Sequence, residues 1–484
     1  MSTILNRRDF LRQSAAASAG LAAALSVSCG KPEVRKPNFV FILVDDLGWR
    51  DVTCFGSTFY ETPNIDKLAA QGMKFTDAYA ACPVCSPTRA SIMTGKYPAR
   101  LHLTDWIKGH VAPKAKLKVP DWTMCLDHEE VTIAEALKTA GYVSASVGKW
   151  HLGDEDYYPD KQGFDVNIAG YWAGQPPTYY HPYTVDREWN NHIPTMESGM
   201  DAVYLTDRLT DESLTFIENN KDRPFFLYLS HYAVHTPIEG KKELIPKYEA
   251  KIKPAQAQKN PEYAAMIESV DDSVGRVMDK LEELGIADNT VVIFMSDNGG
   301  LSGVGDWLNI TSNAPLRSGK GTAYEGGVRE PMIIKWPGVV TSGTVCSVPV
   351  ISIDFYPTML DMAGIKGDPG HFVDGKSLIP LLKQTGTIDR ETIYWHYPHY
   401  HITTPFGSVR KGAYKLIEYY EDGSQELYNL IDDIGETNNL SSLMPDKAEE
   451  LRKMLEDWRI SVGAQMMTPN PDYDGKPYSI RGSQ

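Results

Sequence analysis

Asn38-Phe39-Val40-Phe41-Ile42-Leu43-Val44 is a nearly unbroken apolar run that stops at Asp45-Asp46. Short runs without alternation mark strands buried on both faces, as in parallel sheets. Three more runs repeat the design. Tyr142 to Val147 leads into Gly148-Lys149-Trp150-His151. Pro224 to Leu229 leads into Ser230-His231, with His235 just beyond, and Val291 to Met295 leads into Ser296-Asp297-Asn298. Helical patterns lie between them: Val131 to Leu137 before the second run, and the stripe Tyr263, Ile267, Val270, Val274, Met278 and Leu281 before the fourth. Alternating strand and helix argues for an α/β sheet. Ligands of such sheets bind outside the carboxyl ends of the strands. All four strands deliver Asp, Asn, Lys or His to that edge.

The second signal is Cys85-Ser86-Pro87-Thr88-Arg89, followed by Thr94-Gly95. Cys82-Pro83-Val84-Cys85 also spells C-x-x-C, which serves redox pairs and half zinc sites. A second C-x-x-C is absent and the other cysteines (29, 54, 125, 346) are scattered, so the four-ligand spacing of zinc is missing. Cys-x-Pro-x-Arg with Thr-Gly resembles the signature of type I sulfatases, whose cysteine is oxidised to Cα-formylglycine. Two further stretches resemble the same family in the same order: Gly148-Lys149-Trp150-His151-Leu152-Gly153, and the segment from Leu316 to Pro331 that contains Lys320. His235 lies in His-Thr-Pro, as the family pattern places it. The resemblance runs from residue 37 to 335, with a weaker echo in Glu426-Leu427-Tyr428-Asn429-Leu430.

The resemblance implies a large mixed, mostly parallel sheet sandwiched by helices, of the alkaline phosphatase-like kind, over residues 36–384. A smaller C-terminal antiparallel sheet with a helix would follow over 385–484. The residues agree: Val409 to Ile417 reads as a hairpin around a glycine turn, and Lys447 to Val462 as an amphipathic helix with Leu451, Met454, Leu455 and Trp458 on one face.

By the same resemblance the chain is a sulfuric ester hydrolase acting through the formylglycine hydrate at Cys85. Its catalytic set would be Cys85, Arg89, Lys149, His151, His235 and Lys320. Its metal set would be Asp45, Asp46, Cys85, Asp297 and Asn298. Alone, Asp-Asp after a strand reads as a cap or turn, and Asp-Asn-Gly as a turn. As ligands they are hard oxygen donors, suited to Ca2+, the expected ion, or Mg2+ rather than zinc. Asp297 would take a proton from the attacking hydrate. His235, helped by Lys320, would protonate the departing alcohol. His151 would then deprotonate the remaining hydroxyl to release sulfate. Arg89 would orient the hydrate, and residues 89 to 94 would begin a helix whose positive end faces the anion. His231 has no family match and reads as structural.

The 484-residue chain has 42% hydrophobic residues and a net charge of −15, with an isoelectric point near 5.3. That argues against nucleic-acid and anionic-membrane surfaces, and makes any cationic sulfate pocket a local feature. Residues 1–29 read as an export signal. Asn6-Arg7-Arg8-Asp9-Phe10-Leu11-Arg12 resembles a twin-arginine motif, followed by an Ala-rich apolar stretch. Leu25-Ser26-Val27-Ser28-Cys29 loosely resembles a lipoprotein cleavage box, which makes Cys29 a candidate lipid anchor. The expected setting is the periplasm or a lipid-anchored position facing the periplasm or cell exterior. The expected partners are the twin-arginine export machinery, a formylglycine-generating maturation enzyme and a sulfated carbohydrate.

Loops at strand ends carry specificity. Trp106, His181 and His399 are the expected sugar contacts, chosen from a wider aromatic set that includes Trp172, Tyr179, Tyr180, Trp395, His396 and His401. The expected substrate is a sulfated galactose or N-acetylgalactosamine glycan cut from its end. The alternatives are an arylsulfatase, a phosphonate or phosphodiester hydrolase of the same superfamily, and a non-catalytic sulfoglycan-binding protein. The last would be expected to lose Cys85, Asp297 or Lys320, and all three are present.

Overall fold

The structure, a computed structural model, describes residues 35–196, 203–303, 309–367 and 370–478. Arg7, Arg8 and Cys29 of the expected export signal lie outside the described residues. Among the described residues the strands up to residue 351 are β1 (Asn38–Val44), β2 (Met73–Tyr79), β3 (Leu117–Lys118), β4 (Val143–Gly148), β5 (Val166–Ile168), β6 (Phe225–Ser230), β7 (Thr290–Ser296), β8 (Arg329–Lys335), β9 (Thr344–Cys346) and β10 (Val350–Ile351). Nine of them form one sheet in the order β10-β2-β8-β7-β1-β6-β4-β5, with β9 also on β2. Only β8 runs against the rest, antiparallel to both β2 and β7. The four runs read from the sequence are the adjacent central strands β7, β1, β6 and β4, all parallel.

Strand β1 shows why these runs are apolar throughout. Its side chains alternate between two cores. Val40, Ile42 and Val44 face one, and Phe39, Phe41 and Leu43 face the other. Helices Leu205–Asn220 and Pro261–Glu283 cover the first face, and helices Ile133–Lys138 and Phe355–Met362 the second. A strand covered on both sides has no position for a polar side chain until its end. The change of character at Asp45, Lys149, Ser230 and Asp297 is therefore where the sheet stops and the site begins.

The C-terminal part is a four-stranded antiparallel sheet, β11 (Thr392–Tyr397), β12 (Phe406–Lys411), β13 (Tyr414–Tyr419) and β14 (Gln425–Asn429), in sequential order. The expected hairpin is β12–β13, turning at Gly412 with φ +58°. Helix Pro445–Ser461 buries Ala448, Leu451, Leu455 and Trp458. A short strand β15 (Thr468–Pro469) then pairs with β3. The described residues from Pro37 onward form one compact unit. Buried charge joins its two sheets: Lys415 of β13 contacts Glu325 at 2.8 Å and Glu436 at 3.0 Å, and Arg410 contacts Asp77 at 2.9 Å. Trp395, one of the aromatic candidates for sugar contact, is buried in this joint and donates its indole N–H to the carbonyl of Ala80 at 2.8 Å. Among the described residues no helix is long and apolar enough to cross a membrane.

Candidate active site

The carboxyl ends of β1, β4, β6 and β7 converge beneath the helix Cys85–Thr94. That helix starts at Cys85, four residues before the point expected, with Pro87 in its first turn. Proline is accepted there because the first N–H groups of a helix have no intrahelical partner. Cys85 is thus the first helical residue, at the positive end of the dipole, with its thiol buried over the strand ends. The whole helix is buried, so its one cation, Arg89, must find its partners inside. It does: Nε and Nη2 reach Asp297 Oδ2 at 2.9 and 2.7 Å, and Nη1 donates to the Lys149 carbonyl at 3.0 Å and to the Ser230 hydroxyl. Ser230 is a site residue the sequence reading passed over, although it closes β6 as Ser296 closes β7.

The floor of the site is a lattice of paired charges. Lys149 Nζ lies 2.7 Å from Asp45 Oδ2, and Lys320 Nζ 2.6 Å from Asp46 Oδ1. Asn298 Nδ2 donates to Asp46 Oδ1 at 2.7 Å, and the Asp46 backbone N–H to Asp297 Oδ1 at 3.2 Å. Burial pushes the Asp46 carboxyl up, but Lys320, His235 and Lys149 outweigh it and hold Asp46 below its usual range. Asp297 is likewise raised by burial and brought lower by Arg89 and Lys149. Asp45 goes the other way, because burial wins over Lys149 there.

Three carboxylates face three cations, yet three oxygens stay unsatisfied. Asp45 Oδ1, Asp46 Oδ2 and Asn298 Oδ1 are buried without a hydrogen-bond partner. An orphaned buried acceptor costs about 1–3 kcal/mol. Three orphaned acceptors in one floor, all hard oxygen donors, fit a divalent cation. Asp45, Asp46 and His235 also present atoms within 4.8 Å of one another. The donor chemistry favours the oxygen set, Asp45, Asp46, Asp297 and Asn298, with His235 at its edge.

His151 sits just past β4 with φ +59°, the left-handed region that non-glycine residues rarely occupy. There its Nδ1 faces Cys85 Sγ at 3.3 Å, and its Nε2 bonds the carbonyl of Ile107. A carbonyl only accepts, so Nε2 carries the proton and Nδ1 presents a lone pair to residue 85. Burial, then the nearby Lys149, lowers its pKa well below the usual value and keeps the ring neutral. Gly174 makes room for it, because a Cβ there would come within 2.4 Å of the ring. His235 points Nε2 at Asp46 Oδ2, 3.6 Å away, and Nδ1 at the Thr236 carbonyl, 3.0 Å away. Burial lowers its pKa to about 3 despite Asp46.

Above the floor opens a cavity of about 600 Å³, bounded below by Asp46, Cys85, His151, His235 and Lys320. Its wall is aromatic: Trp106, Trp172, Trp189, His110 and His401, with Ile107, Ile310 and Ile402. Trp106 is where the sequence reading placed it, with a buried indole N–H lacking a partner. His181 and His399 are corrections. His181 packs edge-on against Tyr183 and is absent from the cavity wall, because the bridge between Tyr180 and Tyr204 fixes its neighbour elsewhere. His399 is buried one layer back, 2.8 Å from Thr104 Oγ1 and 3.8 Å from Asp105. Its place is taken by His401, two residues on, whose Nδ1 is buried and unpartnered. Gly321, at φ +79°, passes His401 so closely that a Cβ would lie 2.3 Å from Nδ1. His231 is structural as read, buried with Nε2 3.0 Å from Ser273 Oγ.

The profile of the sulfatase family matches residues 37–365, which carry every element of this floor. The chain belongs to the sulfatase family. It is a sulfuric ester hydrolase of the type I class, a class that uses formylglycine and a divalent metal. A second profile, that of the N-sulphoglucosamine sulphohydrolase C-terminal region, matches residues 319–461. This sulfatase is 34% identical to a sulfatase of Formosa agariphila over 89% of its own chain and 90% of that one. It is 34% identical to N-acetylgalactosamine-6-sulfatase of Rattus norvegicus, covering 78% of this chain and 71% of the other. The crystal structure of Ps i-CgsB in complex with k-i-k-neocarrahexaose superposes with a TM-score of 0.75 at 29% identity, covering 91% of this sulfatase and 95% of that chain.

Proposed function

We propose that this sulfatase removes a sulfate ester from the end of a sulfated galactose- or N-acetylgalactosamine-type glycan. The observation that carries the reading is the cavity. Its wall is aromatic, with Trp106, Trp172, Trp189, His110 and His401 around one cavity directly above the charged floor. Aromatic faces stack on the C–H faces of sugars, and the imidazoles of His110 and His401 among them can bond hydroxyls. A site built to bond a hydroxyl rejects ligands lacking one, because its own groups are then stranded. Relatives named N-acetylgalactosamine-6-sulfatase and a neighbour in complex with k-i-k-neocarrahexaose support the same class.

The Cys85 thiol stands where a formylglycine oxygen would be. Once water has added to that aldehyde, residue 85 supplies one geminal hydroxyl to attack sulfur and a second whose ionisation ejects the sulfate and restores the aldehyde. Asp45, Asp46, Asp297 and Asn298, with residue 85, would hold the ion, with calcium favoured by a carboxylate-rich site, and it would supply electrophilic charge for the sulfate oxygens. Three acids against three cations leave the floor near neutral. The divalent ion's surplus is what an anionic ester requires.

The chain's own residues then act as follows. Lys149 and Lys320 face the sulfate oxygens, in fixed positions that need no reorganisation. Arg89, tied to Asp297, orients residue 85. Asp297, held ionised, accepts the proton of the attacking hydroxyl. His235, beside Lys320, is placed for the departing alcohol. Burial is the main cause of the low pKa of His235, and the bound anion offsets Lys320 and Lys149, which lower it further. His151 Nδ1, already a free lone pair at 3.3 Å from residue 85, accepts the last proton. Such transfers each contribute about 10²–10⁴-fold.

Arg7-Arg8 and the Ala-rich stretch behind them support export by the twin-arginine route, and Cys29 would be the residue to carry a lipid anchor. Folded export would let Cys85 be oxidised before crossing. The test is sulfate release by matured protein with calcium from positional isomers of mono-sulfated galactose, N-acetylgalactosamine, glucosamine and uronate sugars, beside Cys85→Ala. Release from one isomer, absent in the variant, is expected. Turnover of phosphate diesters or phosphonates above every sulfate would defeat the reading.

A further inference from the structure

The floor accounts for one anion, but the cavity carries a second cationic feature that the floor does not use. Of the two lysines lining the cavity, Lys320 is paired with Asp46 at 2.6 Å. Lys108 is exposed, makes no ion pair among the described residues, and rests its ammonium 5.5 Å from the centre of the Trp172 ring. Trp172 meets Trp189 at 6.5 Å, and Trp189 is left 56% exposed. Arg187 lies over Trp189 at 4.6 Å, also without an ion pair among the described residues, although Asp186 and Glu188 flank it. On a chain of net charge −15, an unpaired cation bedded on an aromatic face inside a ligand cavity is not an average surface feature. Cation–π contact fixes such a group without neutralising it. The cavity volume of about 600 Å³ falls in the ~300–1,000 Å³ range that holds a drug-sized ligand, room for more than one sugar ring.

We infer that Lys108, with the Trp172–Trp189 platform, forms a second anion subsite, and that the natural substrate is an oligosaccharide with a further sulfate or carboxylate near the scissile ester. The sugar bearing that group stacks on Trp189, and the group itself meets Lys108. This rests on the carbohydrate reading above and narrows it to multiply anionic glycans. Because Lys108 is exposed, the preference it confers is modest, about fivefold, and weakens with salt.

The experiment compares matched disaccharides that share the hydrolysable sulfate: one with a second sulfate on the neighbouring ring, one with a carboxylate there, one with neither. Wild type, Lys108→Ala, Lys108→Arg and Trp189→Ala are assayed for kcat and KM in low and high NaCl. Expected is a lower KM for a doubly anionic substrate. The advantage should shrink toward parity in Lys108→Ala and in high salt, return in Lys108→Arg, and shrink in Trp189→Ala. Which of the two charged substrates shows it names the group. Equal KM for all three substrates in wild type, or an advantage untouched by Lys108→Ala, overturns the subsite while leaving the sugar sulfatase standing. No release from any disaccharide, with aryl sulfates still cleaved, overturns the carbohydrate reading and the subsite with it.

Discussion

The floor and the wall of the cavity are built on opposite plans. Every charge of the floor is buried and paired, Asp45 with Lys149, Asp46 with Lys320 and Asp297 with Arg89, and the three oxygens it leaves without a hydrogen bond are those suited to a cation. Each comes from a strand end, the first helix turns or a loop locked against them. The wall comes from loops, and its polar atoms, Trp106 Nε1 and His401 Nδ1, are left without partners. A reaction shared by a family demands one preorganised charge array, which rigid strand ends supply. A substrate demands groups kept unsatisfied until it arrives, and loops can present these without disturbing the sheet.

The comparison breaks most visibly at the floor. Lys320→Ala should lower kcat/KM by about 10²–10³-fold, the scale for losing one transition-state charge contact. It should also strand Asp46. A loss under fivefold in a steady-state assay would show that Lys320 neutralises Asp46 and does nothing more. Next is Gly174→Ala. Its new methyl must displace the His151 ring, and displacement on the ångström scale costs about 10²-fold. The loss should fall on kcat, with a burst of released alcohol preceding the slow phase, since His151 serves the second half of the cycle.

The third prediction concerns what holds the floor from behind. Lys320 lies five residues before the short helix that starts at Glu325, and Glu325 is bound to Lys415 and, through its backbone N–H, to Glu436. Burial, against the pull of Lys415, pushes the Glu436 carboxyl from 4.5 up to about 7. A raised carboxyl favours the protonated folded state. Its contribution is full below pH 4.5 and is lost as pH rises through about 7. Wild type should therefore lose stability relative to Glu436→Gln across that window, on the order of 2 kcal/mol, in denaturant titrations at fixed pH. A difference independent of pH would place the carboxylate in its ionised form throughout.

The smallest effect sharpens the wall. His401→Ala should cost about tenfold in kcat/KM on the sugar substrate, the loss of one hydrogen bond. His181→Ala should fall within twofold. The reverse ranking would restore the contact that the sequence suggested and the structure moved.

Much of this was legible beforehand, for reasons that differ by residue. A strand covered on both faces, such as β1, must be apolar to its last position, so Asp45 and Asp46 announce themselves by contrast. Cys85, Lys149, His151 and Lys320 were legible through motif order. The start of the helix at Cys85 was misplaced because Pro87 reads as a boundary, although a first turn accepts it. The sequence does not single out Trp189, and His401 stands only in the wider aromatic set, behind His399. No periodicity governs loops, and which of His399 and His401 reaches the cavity depends on Thr104, Asp105 and Gly321, far away in sequence.

The most direct test of the central claim is sulfate release from the preferred mono-sulfated sugar by three proteins made in one maturing host: wild type, Cys85→Ser and Cys85→Ala. Calcium is present, and residue 85 is identified by peptide mass. Formylglycine at residue 85 with rapid release in wild type alone is the predicted result. Release by Cys85→Ala at a rate near wild type, or release by wild type that still carries an unmodified thiol, would contradict it.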